Sequence, residues 1–320
     1  MGRRGVNTRF IFYNGLVALA LWAMVLDARG QVDDPPPYLV VLGIAQDGGV
    51  PQAGNDFADG DSTRTRRVVS LGLVDPVSGE RWLFEATPGF PEQLRHLNRI
   101  APRDDKPGLD GIFLTHAHIG HYTGLMFLGH EVMGAQGVPV YAMPRMASFL
   151  RTNSPWSQLV AFENIVLREM SHGVPVVLNQ RISVTPLLVP HRQEFSEVVG
   201  FRIEGPNHSV LFVPDIDSWE EWEEAGTRIE DEIALVDVAY LDATFFANGE
   251  ILGRDMSGFP HPFITHSMEQ FRDLHDMERA KVRFIHLNHT NPALWEDTDA
   301  RRTIEANGFR VAEEGEIVRL

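Results

Sequence analysis

After residue 37 the chain alternates short apolar runs with polar or glycine-rich turns, which is typical of strands and helices packed in layers. The predicted strands are 38–44, 67–74, 81–85, 112–114, 138–141, 181–188, 198–203, 209–213 and 236–241. The predicted helices are 90–98, 144–151, 218–225 and 267–279. The Pro-Val-Ser-Gly turn at residues 76–79 indicates a hairpin between the second and third strands. We therefore expect an α/β fold with layered sheets and helices.

The N-terminal segment differs from the rest of the chain and indicates a targeting sequence. Residues 1–30 begin with arginines, continue through the apolar stretch 11–26 and end in small residues, which predicts a secretory signal cleaved near Gly30. The apolar stretch of about 16 residues is short for a stable membrane span, although an uncleaved N-terminal anchor remains the alternative. A proline-rich spacer, 31–37, then leads to one domain, 38–320. We expect an exported, periplasmic or extracellular protein.

The composition of the chain limits which partners and which metal ligands it can have. The 320 residues are 43% hydrophobic, enough for a large core, and carry a formal net charge of −16. An acidic surface argues against nucleic acid as a partner and leaves a small-molecule substrate as the expectation. The chain has no cysteine, which excludes disulfides, thiolate ligands and a cysteine nucleophile. Any bound metal must therefore be held by histidine, aspartate or glutamate.

The most informative motif is a cluster of histidines after the predicted strand 112–114. His116 and His118 stand two positions apart just past the strand end, and His121 opens the next helix. Neutral imidazole is the commonest protein ligand for Zn²⁺ and related ions, and three converging imidazoles have almost no purely structural use. The cluster predicts a metal site at this strand end.

Further candidate ligands also follow apolar runs. His191 comes after strand 181–188, Asp215 after strand 209–213, and His286 after the run Phe284-Ile285. Each is a weak signal alone, and an aspartate after a strand also serves as a helix cap. Their order along the chain strengthens the prediction of a shared site.

This order of residues resembles the metallo-β-lactamase superfamily, whose fold is a four-layer αββα sandwich with metals at one edge of its two sheets. The resemblance rests on the Thr-His-x-His-x-x-His motif, followed by a distant His, an Asp and a late His. Segments 41–52, 85–88, 241–246 and 285–294 are further similar to the branch that contains coenzyme PQQ synthesis protein B and related phosphodiesterase-type enzymes.

The resemblance implies roles for individual residues. It places His116, His118 and His191 at a first metal, Asp215 between two metals, and His121 and His286 at a second metal. It also implies that His266 donates a proton to the leaving group and that Asp242 orients His266. His261 and His289 stay open as supports for the ligands, substituted ligands or ordinary surface residues.

Three departures from the family pattern affect these expectations. Gly120 stands where the family has an aspartate ligand of the second metal, so we expect a weaker second site or a single metal. Asp217 or His289 could supply the missing ligand. The cysteine-rich loop of PQQ synthesis protein B is absent from this chain. The predicted export signal is also a mismatch, because PQQ synthesis is a cytoplasmic process. We therefore do not expect this protein to have the same role in PQQ synthesis.

Together the residues predict a metal-dependent hydrolase. Metal coordination lowers the pKa of bound water from 15.7 to roughly 7, so hydroxide could attack an ester or phosphodiester bond at neutral pH. We expect one or two Zn²⁺ ions, with iron or manganese as alternatives for such a ligand set. The alternative function is a non-hydrolytic protein that binds a metal or a quinone-type cofactor, such as a carrier or an oxidoreductase partner.

Overall fold

The computed structural model describes residues 1–2, 34–55 and 64–320. The predicted signal segment and the middle of the polar loop 55–67 lie outside the described residues. Residues Pro36–Leu320 form one compact unit. Within the described part of the chain, no helix combines the length and apolar character needed to cross a membrane.

Two seven-stranded sheets form the centre of this unit. The first sheet has the order β14-β1-β2-β3-β4-β5-β6. Its strands are β1 Tyr38–Gly43, β2 Ser70–Val74, β3 Arg81–Phe84, β4 Gly111–Phe113, β5 Val138–Ala142, β6 Ile165–Glu169 and β14 Ile317–Arg319. The hairpin predicted around residues 76–79 is confirmed, because β2 and β3 pair antiparallel with Leu73 opposite Trp82.

The second sheet has the order β13-β12-β11-β10-β9-β8-β7. Its strands are β7 Val176–Val177, β8 Ser183–Leu188, β9 Val199–Glu204, β10 Ser209–Val213, β11 Val238–Asp242, β12 Val282–Ile285 and β13 Arg310–Val311. Strands β10, β11 and β12 run parallel, so their carboxyl ends lie at one edge of the sheet. The predicted ligands Asp215 and His286 follow β10 and β12 at this edge.

Helices flank the two sheets and complete the predicted αββα layers, so the predicted fold class is confirmed. The α-helices are Phe90–Ile100, Ile119–Tyr122, Pro144–Thr152, Trp156–Ala161, Trp219–Glu224, Ile229–Ala234, Ile264–Gln270, Asp276–Arg279 and Asp299–Ala306. Short 3₁₀ helices lie at Thr123–Leu128, Phe271–Asp273 and Pro292–Leu294.

Strand β1 explains why the apolar runs are continuous instead of alternating. Successive side chains of a strand point to opposite faces. Leu39 and Val41 join the core cluster between the two sheets, whereas Val40 and Leu42 join the cluster under the helices of the first sheet. Because both faces are covered, every position must be apolar.

The prediction of one continuous helix at 267–279 is wrong, because the segment is interrupted. The observed helix ends at Gln270, a 3₁₀ turn follows, and a new helix begins at Asp276. Leu274 and His275 have extended backbones, with ψ angles of 147° and 150°. The imidazole of His275 then accepts a hydrogen bond from the backbone N–H of Met277, which caps the second helix. The apolar spacing of the sequence does not reveal this break.

Candidate metal centre

Four predicted ligands form one cluster at the edge of the two sheets. His116 and His118 follow β4, His191 follows β8, and Asp215 follows β10. One ligand atom from each lies within 4.8 Å of the others. The Nε2 atoms of His116 and His191 are each 3.3 Å from Oδ2 of Asp215, and Nδ1 of His118 is 2.8 Å from Nε2 of His116. The chain thus brings together three imidazoles and a carboxylate, a suitable set for a divalent metal.

The outer nitrogens of these imidazoles are held by neighbouring groups. Nδ1 of His191 is 2.6 Å from a carboxylate oxygen of Asp217, and Nδ1 of His116 is 2.8 Å from the hydroxyl of Thr115. Such contacts fix the ring orientation and aim the other nitrogen at the cluster. Asp217, considered from sequence as a replacement ligand, therefore supports His191 in this structure.

A second cluster lies beside the first and contains Asp47, His121 and His286, whose ligand atoms also lie within 4.8 Å of one another. Nε2 of His121 is 3.4 Å from Oδ1 of Asp47 and 3.5 Å from Oδ2 of Asp215. Nδ1 of His286 is 3.0 Å from the hydroxyl of Thr244, which leaves its Nε2 for the cluster. Since Oδ2 of Asp215 also contacts His116 and His191, this carboxylate lies between the two clusters.

Asp242 supports the site from the end of β11. Its Oδ1 accepts hydrogen bonds from the backbone N–H and hydroxyl of Thr244, at 2.9 and 2.8 Å. Its Oδ2 accepts from the backbone N–H of Ile216 at 3.0 Å and lies 2.8 Å from Nδ1 of His261. Asp242 also belongs to a candidate metal-binding group with Asp215, His261 and His286. Because each oxygen already has two partners, Asp242 fits an orienting role better than that of a ligand.

The predicted pairing of Asp242 with His266 is wrong. The side chain of His266 is 45% exposed, and its Nε2 lies 2.9 Å from a carboxylate oxygen of Glu220. The histidine beside Asp242 is His261, five positions earlier, whose side chain is buried. Sequence reasoning left His261 open; its place between Pro260 and Pro262 is the signal that could have favoured it, because flanking prolines restrict the backbone.

Two acidic residues at the site were not among the predicted ligands. Asp47 lies in the glycine-rich loop after β1, and Glu85 directly follows β3. Oε1 of Glu85 lies 3.4 Å from Nδ1 of His121, and both residues are fully buried. The available signal was the one that identified Asp215, an acid just after an apolar strand. His289 lies 3.4 Å from the side-chain amide of Asn55 and in none of the candidate metal-binding groups of the described residues.

Several buried polar atoms at this site make close contacts but no hydrogen bond within the described part of the chain. These atoms are both ring nitrogens of His121, both carboxylate oxygens of Glu85, Nε2 of His286, and one Oδ1 each of Asp47 and Asp215. Unsatisfied buried polar groups are costly and rare, and a cation coordinated by the facing nitrogens and oxygens would satisfy most of them. The residues present therefore fit a metal ion.

Backbone conformation also sets this region apart. Five non-glycine residues among those described have positive φ, and four of them lie at the site: Asp47, Glu85, His261 and His286. Such conformations cost roughly 1–3 kcal/mol each and persist where the surrounding structure holds them for function. The presence of four such residues at one site indicates that the rest of the fold stabilises strained backbone conformations that orient these side chains.

The charges of the site shift the pKa values of its histidines in opposite directions. Burial, and next the neighbouring His121, hold the pKa of His116 well below its ordinary value. Burial also lowers the pKa of His191, but the Asp215 and Asp217 carboxylates outweigh it and raise that pKa to about 9. Below about pH 9 the imidazole of His191 is therefore protonated in the metal-free protein, and a metal that binds there must displace this proton.

A cavity of about 560 Å³ adjoins the centre. His261 and His266 both line it, together with the apolar rings of Phe259 and Phe263 and the guanidinium of Arg192. The cavity gives a small molecule access to His261, which in turn contacts Asp215 through Nδ1 at 3.2 Å. The cavity is linked to the ligand cluster through two of its lining residues, Asp217 and His261, which contact His191 and Asp215.

Known proteins share this fold. A family model described as "Beta-lactamase superfamily domain" matches residues 73–287. A coenzyme PQQ synthesis protein B of Methylorubrum extorquens is 26% identical over 309 residues, which cover 87% of this chain and 98% of that protein. The structure of zinc-bound PqqB from Methylobacterium extorquens superposes with a TM-score of 0.72 at 23% identity, covering 88% of this chain and 100% of that one.

A diphosphatase from the PhnP family superposes with a TM-score of 0.61 at 20% identity, covering 89% of this chain and 97% of that one. The fold thus occurs both in a zinc-bound protein and in a hydrolase. Because the family model spans more than half of the chain, this protein belongs to the beta-lactamase superfamily.

Proposed function

We propose that this protein is a metal-dependent hydrolase that cleaves a phosphodiester-type bond. The observation that carries the proposal is the buried His261–Asp242 pair, which lies between the metal-ligand clusters and an open cavity. A carrier makes no use of a histidine that is oriented by a buried carboxylate and can donate a proton into the cavity. An enzyme that must protonate a leaving group does need one.

The chain's own residues divide the work between them. A divalent metal, when bound, supplies Lewis acidity and activates water for attack. Asp215 would hold both metal positions together, since its Oδ2 lies within 3.5 Å of His116, His121 and His191. Asp217 keeps the proton of His191 on Nδ1 and leaves Nε2 free to coordinate.

Asp242 fixes the position of a proton on His261 in the same way. Its Oδ2 accepts the Nδ1 proton, so the second proton of a charged His261 resides on Nε2 and is the one available for transfer. In the metal-free protein, burial lowers the pKa of His261, but the charges of Asp242 and Asp215 outweigh burial and raise that pKa above its ordinary value. His261 therefore suits donation to a leaving oxygen, a step worth roughly 10²–10⁴-fold in rate.

The charges of the cavity disfavour a phosphomonoester more than a phosphodiester. Within the described residues, its lining holds one arginine, Arg192, against the acids Asp217, Glu220 and Glu221. A phosphomonoester carries about −1.5 to −2 charges at neutral pH and would be repelled more strongly than a diester. Phe259 and Phe263 offer apolar walls for the organic group of such a diester.

A second candidate function is a metal-dependent carrier without turnover. It is favoured by the similarity to coenzyme PQQ synthesis protein B, which extends over 98% of that protein. The two functions differ in a simple way, because a carrier has no use for proton transfer from His261. We further propose export from the cytoplasm, on the basis of the signal-like residues 1–30.

The test begins with metal content by elemental analysis of protein purified without added metal. The same sample is then assayed on bis(p-nitrophenyl) phosphate and on p-nitrophenyl phosphate. We expect turnover of the diester in preference to the monoester. Bound metal with no turnover of either compound would contradict the hydrolase and favour the carrier.

A pair of variants separates the two cavity histidines. His261→Gln should reduce diester turnover by about 10²–10⁴-fold with metal content unchanged, whereas the matched control His266→Gln should change it by less than about tenfold. The reverse result would restore the role first assigned to His266. Loss of metal from His261→Gln would instead make His261 a ligand.

A further inference from the structure

The space beside Gly120 is filled, although this residue lacks the side chain that the family motif places there. Gly120 lies between His118 and His121 in the short helix Ile119–Tyr122. A Cβ atom at Gly120 would lie 2.1 Å from Oδ1 of Asp47 and 2.6 Å from its Cα. Real Cβ atoms do not approach other atoms this closely, so glycine is required here to make room for Asp47.

Asp47 directs one oxygen into the buried cluster. Its side chain is 49% exposed as a whole, yet its Oδ1 is buried and has no hydrogen-bond partner within the described residues. That atom lies 3.4 Å from Nε2 of His121, which is within ion-pair distance. The side chain of His121 is 0% exposed, and neither of its ring nitrogens has a hydrogen bond within the described residues. A buried carboxylate oxygen and a buried imidazole nitrogen that face each other without a hydrogen bond are expected where both coordinate one cation.

The loop that carries Asp47 is fixed to the segment that carries His286. The backbone N–H of Gln46 donates to the carbonyl of Leu287 at 2.8 Å, and the N–H of Leu287 donates to the carbonyl of Ile44 at 2.9 Å. Asp47 and His286 adjoin these bonds directly and both have left-handed backbones, with φ of 25° and 65°. The two side chains are therefore positioned by one shared connection between the sheets.

We propose that Asp47 supplies the carboxylate of the second metal position in place of the side chain that Gly120 lacks. The ligands there are Asp47, His121, His286 and the shared Asp215. This set restores two anionic ligands, so the second position is a full site and the protein holds two metals. The assignment rests on the metal-dependent function proposed above, but not on which bond is cleaved.

The experiment measures zinc per chain and the affinity of each site by titration of the metal-free full-length protein against a chelating indicator. We expect two equivalents for the unaltered protein. The nearly isosteric Asp47→Asn variant should retain the first zinc ion and bind the second at least about 100-fold more weakly. This loss exceeds the 10–100-fold that is typical of a residue that only supports a ligand. Asp231→Asn, at an exposed helical acid, is the matched control and should bind both normally.

Gly120→Ala provides an independent variant, since it adds one methyl group and no ligand. We expect it also to lose second-site zinc, because the methyl group displaces the Asp47 carboxylate; circular dichroism checks that the protein is folded. Two equivalents with unchanged affinity in Asp47→Asn, or a single equivalent in the unaltered protein at saturating zinc, would overturn the assignment. Two zinc ions without diester turnover would leave the assignment intact and contradict only the hydrolase function.

Discussion

Replacement of Asp242 by asparagine tests how the site orients its proton-donating histidine. Asp242 is fully buried and accepts hydrogen bonds from Thr244 at one oxygen and from Ile216 and His261 at the other. Asn has the same shape but places an NH₂ group where one oxygen was. If Oδ1 remains an oxygen, the N–H of Ile216 and Nδ1–H of His261 both face a donor.

The cost follows from these two bonds. A buried donor left without an acceptor costs about 1–3 kcal/mol, so losing both would cost about 2–6 kcal/mol. His261 can recover one bond by moving its proton to Nε2 and accepting at Nδ1, which leaves a loss of about 1–3 kcal/mol. For a large domain, about 2–4 °C is lost per kcal/mol, so the melting temperature should fall by about 2–12 °C.

The same proton shift should damage catalysis. With Nδ1 of His261 unprotonated, the ring loses the charged form that Asp242 stabilises, and diester turnover should fall by about 10²–10⁴-fold. Scanning calorimetry and diester turnover of the metal-loaded protein measure the two effects, metal analysis shows that the ligands are intact, and nitrogen NMR of the imidazole reports its tautomer. Asp231→Asn, at an exposed helical position, is the control. An Asp242→Asn protein with unchanged melting temperature and turnover would refute this reasoning.

Two further predictions concern the metal ligands. His118→Ala, alone or with His116→Ala, should lower bound metal by removing imidazoles from the first cluster; full retention of metal by the double variant, measured by elemental analysis, would refute the site. In metal-free protein, the pKa of His191 is raised to about 9 from an ordinary 6.5, because its bonds to Asp215 and Asp217 outweigh burial. This stabilisation is complete below about pH 6.5 and is lost as pH rises through 9, so the melting temperature with chelator should fall across that interval. A flat or rising melting temperature would contradict this account.

The sequence by itself determined β1–β5 and β8–β11 and the residues of the first ligand cluster, but not the strands β6, β7, β12, β13 and β14. Strands such as β1 and β10 are recognisable because burial on both faces demands an unbroken apolar run, a property of consecutive residues. His116 and His118 share one short segment after β4, so their convergence needs little more than a strand end. His191 and Asp215 could be added because each follows another strand, and the family resemblance implied their roles.

Only the tertiary structure decided which histidine pairs with Asp242 and which carboxylate faces His121. His261 and His266 lie five residues apart before and within one short helix, and a turn between prolines determines which of them reaches β11. Asp47 and Gly120 are remote in sequence and meet because β1 and β4 run in the same direction in the first sheet, so the segments after them lie at the same edge. The residues next to Gly120 in sequence do not show that the side chain of Asp47 fills the space beside it. Ligands supplied by distant loops depend on the packing of whole sheets, and that information exists only in the folded chain.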